Sequence, residues 1–291
     1  MKSCNFAVIG GDMRQLKLAE LLAKDGKKVQ TFAIDHAQPE GVIKETLEAA
    51  TAQANCVILP LPISRDGQHL NTPLSNTVLT IEETLSAMNP TQIICGGQLD
   101  TATLAKASSL GLTLLDYYAR EEFVIANAVA TAEGAIQAAM EATPMMLSGT
   151  RALVFGFGRI GKVLAHRLQG LGVRVSVTAG SHADLAWITA YGYQGIAMQE
   201  LDLHLAEPHM LFNTIPKLVL DAKHLRLVDS HALLIDLSSK PGGIDHAAAE
   251  ALGLKCIWAL GLPGKVAPLS AASILHDTIY NILSEQEKHL C

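Results

Sequence analysis

Aromatic side chains, charged side chains and long apolar runs are all scarce in this chain of 291 residues. Only 4% of the residues are aromatic and 17% are charged, whereas 49% are hydrophobic. A chain this apolar can bury enough surface to offset the entropy lost on folding, which excludes intrinsic disorder. The longest apolar runs, such as residues 152–155 and 232–235, fall far below the roughly 20 residues of a membrane-spanning helix. Because the N-terminal apolar stretch is also too short for a signal peptide, we expect a cytoplasmic protein without a membrane segment.

The chain also lacks an excess of basic residues, and it has no cysteine pairs at metal-binding spacing. The 22 basic and 28 acidic residues give a net charge of −6 with no block of like charge. This balance argues against nucleic-acid binding, which needs a clustered basic face. The eleven histidines do not cluster, and no C-x-x-C motif occurs among the cysteines, which are Cys4, Cys56, Cys95, Cys256 and Cys291. These patterns predict reduced, mostly buried thiols and no metal site.

Short apolar strands alternate with amphipathic helical stretches along the chain, a pattern typical of α/β proteins with parallel sheets. The apolar runs predict five strands in each half, a helical stretch over residues 42–50 and a long alanine-rich helix over residues 121–142. We predict two doubly wound parallel-sheet domains with a cleft between them. The expected boundaries are an N-terminal α/β domain (1–120), a connecting helix (121–147), a Rossmann dinucleotide-binding domain (148–270) and a C-terminal helix (271–291) that packs back on the first domain.

The strongest local motif is a G-x-G-x-x-G sequence at Gly156, Gly158 and Gly161. It follows a predicted strand and opens a predicted helix, which is the context of a dinucleotide-binding turn. The first glycine permits the tight turn, the second lets the backbone approach a pyrophosphate, and the third allows close packing of helix and strand. The N–H groups at the helix start would face the phosphates. The predicted cofactor-binding residues of this turn are Gly156, Phe157, Gly158, Arg159, Ile160 and Gly161.

The strand after this turn ends without the acid that usually binds the ribose hydroxyls of NAD. The first acid is Asp184, whereas Ser181 and His182 can donate hydrogen bonds to a 2′-phosphate. NADP is therefore favoured, although no arginine occurs here and NAD stays open. Further predicted cofactor contacts are Thr178, Ser181, His182, Asn213, Thr214 and Pro216, the last three in a loop that could instead be a capped helix entry.

Other segments form an ordered set across nearly the whole chain. They are A-V-I-G-G-D-M-R-Q from residue 7, I-L-P from 58, R-E-E-F from 120, N-A-V-A-T-A-E-G from 127, N-T-I-P from 213, I-D-L-S-S-K-P-G-G from 235 and L-G-L-P-G-K-V-A-P from 260. With the glycine-rich turn, this set resembles the A-subunit family of dipicolinate synthase from spore-forming bacteria. The family often has an arginine where this chain has Gly180.

The resemblance implies an NADP-linked oxidoreductase for spore formation. Its expected reaction is the oxidation of dihydrodipicolinate to dipicolinate (pyridine-2,6-dicarboxylate). The expected location is the cytosol of the mother cell. The resemblance also implies a partner, the flavoprotein-like B-subunit of dipicolinate synthase.

Aromatising a dihydropyridine removes a hydride and a proton, so the enzyme must chiefly orient the ring and hold its two carboxylates. Arginine, lysine, hydroxyl and backbone N–H groups bind carboxylates, and open α/β sheets bind ligands at the carboxyl ends of their strands. The candidate catalytic residues are Lys240, Lys265 and Asn213. The candidate substrate-binding residues are Arg14, Ser64, Arg65, Tyr117, Arg120, Ser238, Ser239, Gly242 and Gly243.

Several of these candidates have a structural alternative. Arg14 would equally suit a surface ion pair, and Lys240 and Lys265 would suit solvated loops. Tyr117 and Arg120 could serve packing between the domains.

Two other functions share this layout. A 2-hydroxy-acid or amino-acid dehydrogenase has the same two domains, but a hydroxy-acid dehydrogenase needs a histidine base after the last strand, and residues 258–268 contain none. A non-catalytic nucleotide-binding subunit of a flavoprotein complex also fits, because no residue is an unmistakable acid or base. The apolar composition leads us to expect an oligomer in either case.

Overall fold

The computed structural model describes residues 4–289, which form two six-stranded sheets. The chain divides into two compact units, one running to Asn127 and resuming at Ala267, the other comprising Ala128–Val266. All strand pairs within both sheets are parallel. The predicted α/β fold with two doubly wound parallel sheets is confirmed. The last two residues of the predicted C-terminal helix, Cys291 among them, lie outside the described residues.

Six strands build each sheet. The first unit contains β1 (Asn5–Ile9), β2 (Lys28–Phe32), β3 (Val42–Lys44), β4 (Cys56–Ile58), β5 (Ile93–Gly96) and β6 (Leu114–Asp116), in the order β3-β2-β1-β4-β5-β6. The second contains β7 (Arg151–Phe155), β8 (Arg174–Ala179), β9 (Gln194–Ala197), β10 (Met210–Asn213), β11 (Leu233–Asp236) and β12 (Lys255–Trp258), in the order β12-β11-β10-β7-β8-β9. In each order the strand sequence reverses beside the first strand, and ligands of open α/β sheets bind at such a switch point.

Helices connect these strands. They are α1 (Met13–Lys24), α2 (Leu47–Ala52), α3 (Ile81–Ser86), α4 (Thr101–Ser109), α5 (Glu121–Ala142), α6 (Arg159–Gly170), α7 (His182–Ala190), α8 (Ala222–Leu225), α9 (His246–Ala251), α10 (Leu262–Val266) and α11 (Pro268–His289). Two short 3-10 helices cover Tyr117–Ala119 and Met198–Leu203. The long helix α5 has the bounds that the sequence predicts.

Two edge strands differ from the sequence prediction. Residues 42–50, expected to be helical, form β3 and then the start of α2, because the side chain of Thr46 accepts the N–H of Ala49 and begins the helix only there. The strand β9 has no apolar run that would reveal it, since Ile196 is its single fully buried residue.

In the first unit, α1 and α11 cover one face of the sheet. Leu18 and Leu22 of α1 lie in one buried cluster with Leu275 and Ile279 of α11. Polar contacts reinforce this packing, because His276 Nε2 and Tyr280 Oη lie 2.8 and 2.7 Å from the carboxylate of Asp25. The C-terminal helix is thus part of the first unit's core. Leu47, Ile81 and Ala107 of α2, α3 and α4 belong to a second cluster with Ala7 and Val57 of the sheet.

In the second unit, the helix α5 contributes a buried stripe of alanines. Ala132, Ala135 and Ala139 lie in one cluster with Val154 of β7 and Leu164 of α6. Among the described residues, α5 alone is long and apolar enough to cross a membrane by length and composition, with 50% of its most apolar window buried in the protein. A core helix of a soluble protein passes the same test, so this is weak evidence for a membrane span.

Candidate functional site

The glycine-rich turn between β7 and α6 has the geometry that a dinucleotide-binding turn requires. Gly156 adopts a φ of +92°, a conformation that L side chains rarely adopt. A Cβ atom at Gly156 would lie 2.9 Å from Ile215 Cγ1 and from Thr214 Oγ1, and one at Gly161 would collide with the carbonyl oxygen of Gly156. The glycines therefore let α6 start directly against the strand end.

Gly158 is the N-cap of α6, and no side chain caps this helix. By contrast, a serine, threonine or aspartate side chain caps α1, α2, α3, α4, α7, α8 and α9. A Cβ atom built on Gly158 would meet nothing within 4 Å. The start of α6 therefore offers open space beside its N–H groups, which fits a pyrophosphate.

The side chains between these glycines differ in position. Phe157 is buried, its ring centroid 6.3 Å from that of Tyr193, and Lys162 Nζ lies 5.4 Å above the ring. The side chain of Phe157 thus belongs to the core, which leaves only its backbone for the predicted cofactor contact. Arg159 is exposed at the first helical position, and Ile160 is half-buried.

At the end of β8, the predicted cofactor residues divide between core and surface. Thr178 is fully buried, and its carbonyl oxygen accepts the N–H of Gly156 at 3.1 Å. The side chain of Thr178 therefore lies in the core, whereas the predicted cofactor contact would need it at the surface. Ser181 caps α7: its hydroxyl accepts the N–H of Asp184 and donates to that carboxylate at 2.8 Å. His182 is exposed beside it.

The loop after β10 is fastened to the glycine-rich turn. Thr214 donates from its hydroxyl and its N–H to the carbonyl oxygen of Phe155, at 2.7 and 3.1 Å. Pro216 is exposed. Asn213 is fully buried, and its amide nitrogen lies 2.8 Å from Asp236 Oδ1 while its amide oxygen accepts the N–H of Ile215. The structure thus places Asn213 in the core with its polar atoms hydrogen-bonded within the protein, and its catalytic role stays a prediction.

Asp236, which sequence reasoning missed, organises the loop after β11. Its buried carboxylate accepts hydrogen bonds from two backbone N–H groups, Gly243 at 2.8 Å and Ile244 at 3.2 Å, besides the bond from Asn213. Burial alone would raise the pKa of Asp236, but its hydrogen bonds, led by those from Ser238 and Asn213, outweigh burial and lower it. The signal in the sequence was an acid at the last position of an apolar strand, before a glycine pair.

Three predicted substrate contacts belong to this internal network instead. Ser238 is buried, and its hydroxyl donates to Asp236 at 2.7 Å. A Cβ atom on Gly242 would lie 3.1 Å from Asp236 Oδ2, and one on Gly243 would collide with the side chain of Asn213. These glycines therefore make room for Asp236 and Asn213, and their role in letting the backbone approach a ligand stays a prediction.

Ser239, Lys240 and Lys265 stand at the surface of the second unit. Ser239 and Lys240 form the exposed tip of the loop held by Asp236, and Lys265 is exposed on α10. Within the part of the chain that the structure describes, neither ammonium group has a hydrogen bond or ion pair. Both lysines stay candidates for binding a carboxylate.

In the first unit, Arg14 is buried at the start of α1. Its Nε and Nη2 lie 3.0 and 2.8 Å from the carboxylate of Asp12, and Nη2 also donates to the carbonyl oxygen of Leu61 at 2.8 Å. The structure therefore shows the predicted ion-pair alternative in a buried form. Burial alone would lower the pKa of Arg14, but the contact with Asp12 outweighs burial and raises it. Nη1 has no acceptor among the described residues and stays available to an anion.

The remaining candidates of the first unit lie on two loops. Ser64 donates to Asp66 at 3.0 Å within a turn, and Arg65 is exposed at its tip. Tyr117 is fully buried, and its hydroxyl donates to the carbonyl oxygen of Leu59 at 2.9 Å. The Tyr117 hydroxyl is thus bonded inside the core, and its contact with substrate stays a prediction.

Arg120 serves the attachment of α11. Its Nη1 and Nη2 lie 2.6 and 2.7 Å from the carboxylate of Glu285, and its Nε lies 2.8 Å from Glu122. Both sides of the Arg120 guanidinium are thus bound by carboxylates, and its substrate contact stays a prediction. For metals, the described residues contain no group of three or more histidine, cysteine or acidic side chains that could hold an ion.

Comparison with known proteins assigns a family to each part of the chain. Residues 5–118 match the family model of the N-terminal domain of the dipicolinate synthase A-subunit. Residues 112–252 match that of the NAD binding domain of D-isomer specific 2-hydroxyacid dehydrogenases. A nicotinamide dinucleotide cofactor and an oxidoreductase fold follow from the second match.

Individual relatives agree. The dipicolinate synthase A-subunit of Bacillus subtilis is 31% identical over 283 residues, which cover 96% of this chain and 95% of that protein. The crystal structure of the A-subunit from Bacillus halodurans superposes with a TM-score of 0.87 at 30% identity, covering 96% of this chain and 97% of that one. A transhydrogenase from Sinorhizobium meliloti, 15% identical with a TM-score of 0.73 and coverage of 96% and 94%, shares the fold.

Proposed function

The chain belongs to the A-subunit family of dipicolinate synthase, and from this premise we propose that it oxidises dihydrodipicolinate to dipicolinate with NADP. The observation that carries the proposal is the uncapped start of α6 beside Gly156 and Gly161 in a chain of this family. A bound nicotinamide supplies the acceptor for the hydride that the substrate ring loses. This chain's own part is to bind the nucleotide, orient the ring and receive a proton.

Nucleotide binding can be tested at Gly158. The substitution Gly158→Asp places a carboxylate in the open space beside the start of α6. There the carboxylate would repel the pyrophosphate and occupy the volume that the pyrophosphate needs. We expect calorimetric titration to show at least a 10-fold loss of affinity for NADP, about 1.4 kcal/mol, with an unchanged melting temperature. Gly170→Ala, at the other end of α6, is the matched control and should titrate like the wild type. Wild-type affinity in Gly158→Asp would contradict the assignment of the turn.

The preference for NADP over NAD is proposed from the exposed surface at Ser181 and His182. No acid ends β8, and the nearest carboxylate, Asp184, accepts a hydrogen bond from Ser181 at 2.8 Å. We expect His182→Ala to weaken the affinity for NADP by about 3- to 10-fold and to leave that for NAD unchanged. Only NADP carries the 2′-phosphate with which His182 would form a charged hydrogen bond. Paired titrations with both nucleotides measure this. An equal effect on both would favour NAD as the cofactor.

Cationic side chains at the carboxyl ends of the strands, three of them exposed and one (Arg14) buried, are the proposed ligands of the substrate carboxylates. Arg14 Nη1, Arg65, Lys240 and Lys265 are available for this purpose. Arginine matches a carboxylate with two parallel hydrogen bonds, and a lysine adds a mobile point charge. We propose Lys240, Lys265 and Ser239 as carboxylate-binding groups of the second unit, and Arg14 and Arg65 as anion-binding groups of the first.

Turnover is tested with the purified chain, NADP and dihydrodipicolinate made enzymatically. Absorbance of NADPH and of dipicolinate is followed with and without the flavoprotein-like B-subunit, the proposed partner in the cytosol of a spore former. Product from this chain alone supports catalysis here, and product only with the partner supports a shared site in a hetero-oligomer. Absence of both products under both conditions, with NADP still bound, would instead identify a nucleotide-binding subunit without chemistry of its own.

A 2-hydroxy-acid dehydrogenase is the second candidate, favoured by the match of residues 112–252 to the NAD binding domain of that class. Against it, the segment after β12 contains no histidine that could serve as its base. Oxidation of NADPH or NADH by a panel of 2-oxo acids tests this candidate directly. We expect no turnover.

A further inference from the structure

A cavity of about 330 Å³ lies in the second unit, at the amino ends of its first three strands. Its walls include the first residues of β7, β8 and β9, which are Arg151, Arg174 and Gln194. His204 and Glu207, from the segment before β10, also line it. All of its lining residues belong to one unit, Ala128–Val266. Ligand pockets begin at about 300 Å³, so this cavity can hold a small molecule.

The cavity is separate from the nucleotide-binding turn. The turn follows the carboxyl end of β7, whereas the cavity lies where the same strand begins. The neighbouring strand β8 has six residues, which span roughly 16 Å at about 3.3 Å per residue. A ligand in the cavity and a nucleotide at the turn would therefore occupy opposite edges of one sheet.

The strand register places two arginines side by side at the cavity. Arg151 and Arg174 are paired residues of the parallel strands β7 and β8. Paired residues of neighbouring strands have their side chains on the same face of the sheet, and the strands are about 4.8 Å apart. Ser176, two residues beyond Arg174, shares that face and is paired with Gln194 of β9. One face of the sheet thus presents two guanidinium groups, a hydroxyl and an amide.

The two guanidinium groups repel each other, and within the described residues no carboxylate forms an ion pair with either. Arg174 has no side-chain hydrogen bond in that part of the chain. Arg151 donates from Nε to the carbonyl oxygen of Glu207 at 2.9 Å, which orients its guanidinium and leaves both Nη atoms for another acceptor. Like charges on neighbouring strands destabilise a sheet. An anion bound between the two groups would remove this repulsion.

Further hydrogen-bond donors lie beside the arginine pair. Ser176 donates to Oε1 of Gln194 at 3.1 Å, so the amide nitrogen of Gln194 is left to donate to a ligand. The ring of His204 has no hydrogen-bond partner among the residues that the structure describes. Apolar side chains complete the walls, among them Leu153, Ile196 and Pro208.

A phosphate group matches these donors better than a carboxylate does. A guanidinium can form two parallel hydrogen bonds with either group. A carboxylate has two oxygen atoms, which one arginine can satisfy, whereas a phosphate monoester has three free oxygens and up to two negative charges. Two arginines side by side therefore favour phosphate, and the apolar walls leave room for a small organic group.

We propose that this cavity is a binding site for a small phosphate ester, with Arg151 and Arg174 as its charged ligands and Gln194 and His204 as further donors. The site is additional to the nucleotide site, and the inference does not depend on the proposed oxidation. Glu207 limits the affinity, because its exposed carboxylate also lines the cavity and repels a phosphate.

Arg174→Gln tests the site, since this substitution removes a charge without breaking a hydrogen bond or ion pair of the described residues. Calorimetric titrations use glycerol 2-phosphate as the probe, at low ionic strength. The parent protein for them is Gly158→Asp, so that the start of α6 does not take up the probe. We expect Arg174→Gln to weaken binding of the probe by about 10-fold or more. Glu207→Gln should strengthen it about 2- to 5-fold, because a repulsive charge is lost.

The matched control is Arg226→Gln. Arg226 is another exposed arginine of the second unit, it does not line the cavity, and it has no ion pair within the described residues. This variant should bind the probe like the parent. Malonate separates phosphate from carboxylate recognition and should bind at least about 10-fold more weakly than the probe. Parent-like affinity of Arg174→Gln, tighter binding of malonate than of the probe, or no binding of the probe by the parent would overturn the inference.

Thermal unfolding distinguishes a ligand-binding arginine from a structural one. Without the probe, Arg174→Gln should melt at the temperature of the parent or slightly above it, because repulsion from Arg151 is relieved. Saturating probe should raise the melting temperature of the parent and leave that of Arg174→Gln in place. A lower melting temperature of Arg174→Gln without the probe would assign the arginine a structural role and overturn the inference.

A last titration separates this site from the proposed function. In the wild-type background, Arg174→Gln should leave the affinity for NADP unchanged, because the cavity and the turn lie at opposite edges of the sheet. If the wild type binds no NADP, the proposed function fails, and the probe titrations still decide whether the cavity binds phosphate.

Discussion

At the scale of single residues, polar groups at strand ends serve two different purposes in this protein. Asp236, Asn213 and Ser238 hydrogen-bond one another below the surface, whereas Lys240 stands free at the tip of the loop that they hold. A buried polar group needs a hydrogen-bond partner, and in this network the partners are other groups of the protein. The network therefore positions the loop, and the exposed side chains are left for ligands.

Replacing Asp236 tests this division. Asp236→Asn keeps the shape but turns an acceptor into an amide donor that faces the N–H groups of Gly243 and Ile244. We expect about 2–4 kcal/mol of destabilisation from these unsatisfied buried donors, measured by urea unfolding. Asp229→Asn, at an exposed aspartate that caps a turn, is the control and should cost less than about 1 kcal/mol. Equal effects of the two substitutions would mean that the buried network contributes no more than a surface turn.

At the scale of secondary-structure elements, a glycine decides how α5 meets α10. A Cβ atom on Gly134 would lie 2.9 Å from Leu262 Cβ and 3.0 Å from Val266 Cγ2. The alanines of α5 bury the rest of that face against β7 and α6. Small residues thus let two helices approach where a larger side chain would hold them apart.

This contact predicts opposite outcomes for the same substitution at two helical glycines. Gly134→Ala should destabilise the protein by about 1–3 kcal/mol through overpacking, although alanine favours a helix. Gly170→Ala, where a Cβ atom meets nothing within 4 Å, should stabilise it by about 0.5–1 kcal/mol. Thermal unfolding measures both. Stabilisation by Gly134→Ala would show that α10 moves aside without cost.

At the scale of the whole molecule, each unit has its own sheet and its own apolar core. Parallel strands covered by helices on both faces read as continuous apolar runs, which explains the high hydrophobic fraction of the sequence. Carboxylates in both units have lowered pKa values. Hydrogen bonds from Lys17 and Lys24 lower the pKa of Glu20 to about 2, and those from Lys44 and Ser75 lower that of Asp35 to about 2.

These pKa values predict the direction of acid unfolding. A carboxylate whose folded pKa lies below its unfolded value of about 4 stabilises the folded state above that pH and loses this contribution as the pH falls. We expect the free energy of unfolding to decrease from about pH 4 toward pH 2, with Asp236 contributing in the second unit. About 1 M salt should weaken the part due to the exposed Glu20 pairs and spare the part due to buried Asp236. Unfolding free energies that stay constant from neutral pH down to this acid range would contradict the prediction.

The α/β fold, the long helix α5 and the glycine-rich turn between β7 and α6 could all be predicted from the sequence. Each depends on local information: the period of apolar residues, or a backbone conformation such as that of Gly156 which only glycine adopts readily. Two strands, β3 and β9, could not be predicted in this way. Both are edge strands with a weak apolar pattern, so pairing with a neighbouring strand is what mainly defines them.

Which polar side chains are available to a ligand depends on long-range packing and could not be predicted from the sequence. Tyr117, Arg120 and Ser238 have the right chemistry and the right place in the chain for substrate binding, yet Leu59, Glu285 and Asn213, all distant in sequence, already bind their side chains. The contact of Arg14 with Leu61, and the pairing of Arg151 with Arg174, likewise depend on how the chain folds back on itself. The sequence gives the chemistry of each side chain. Whether that side chain is free to bind a ligand depends on the partners that packing brings next to it.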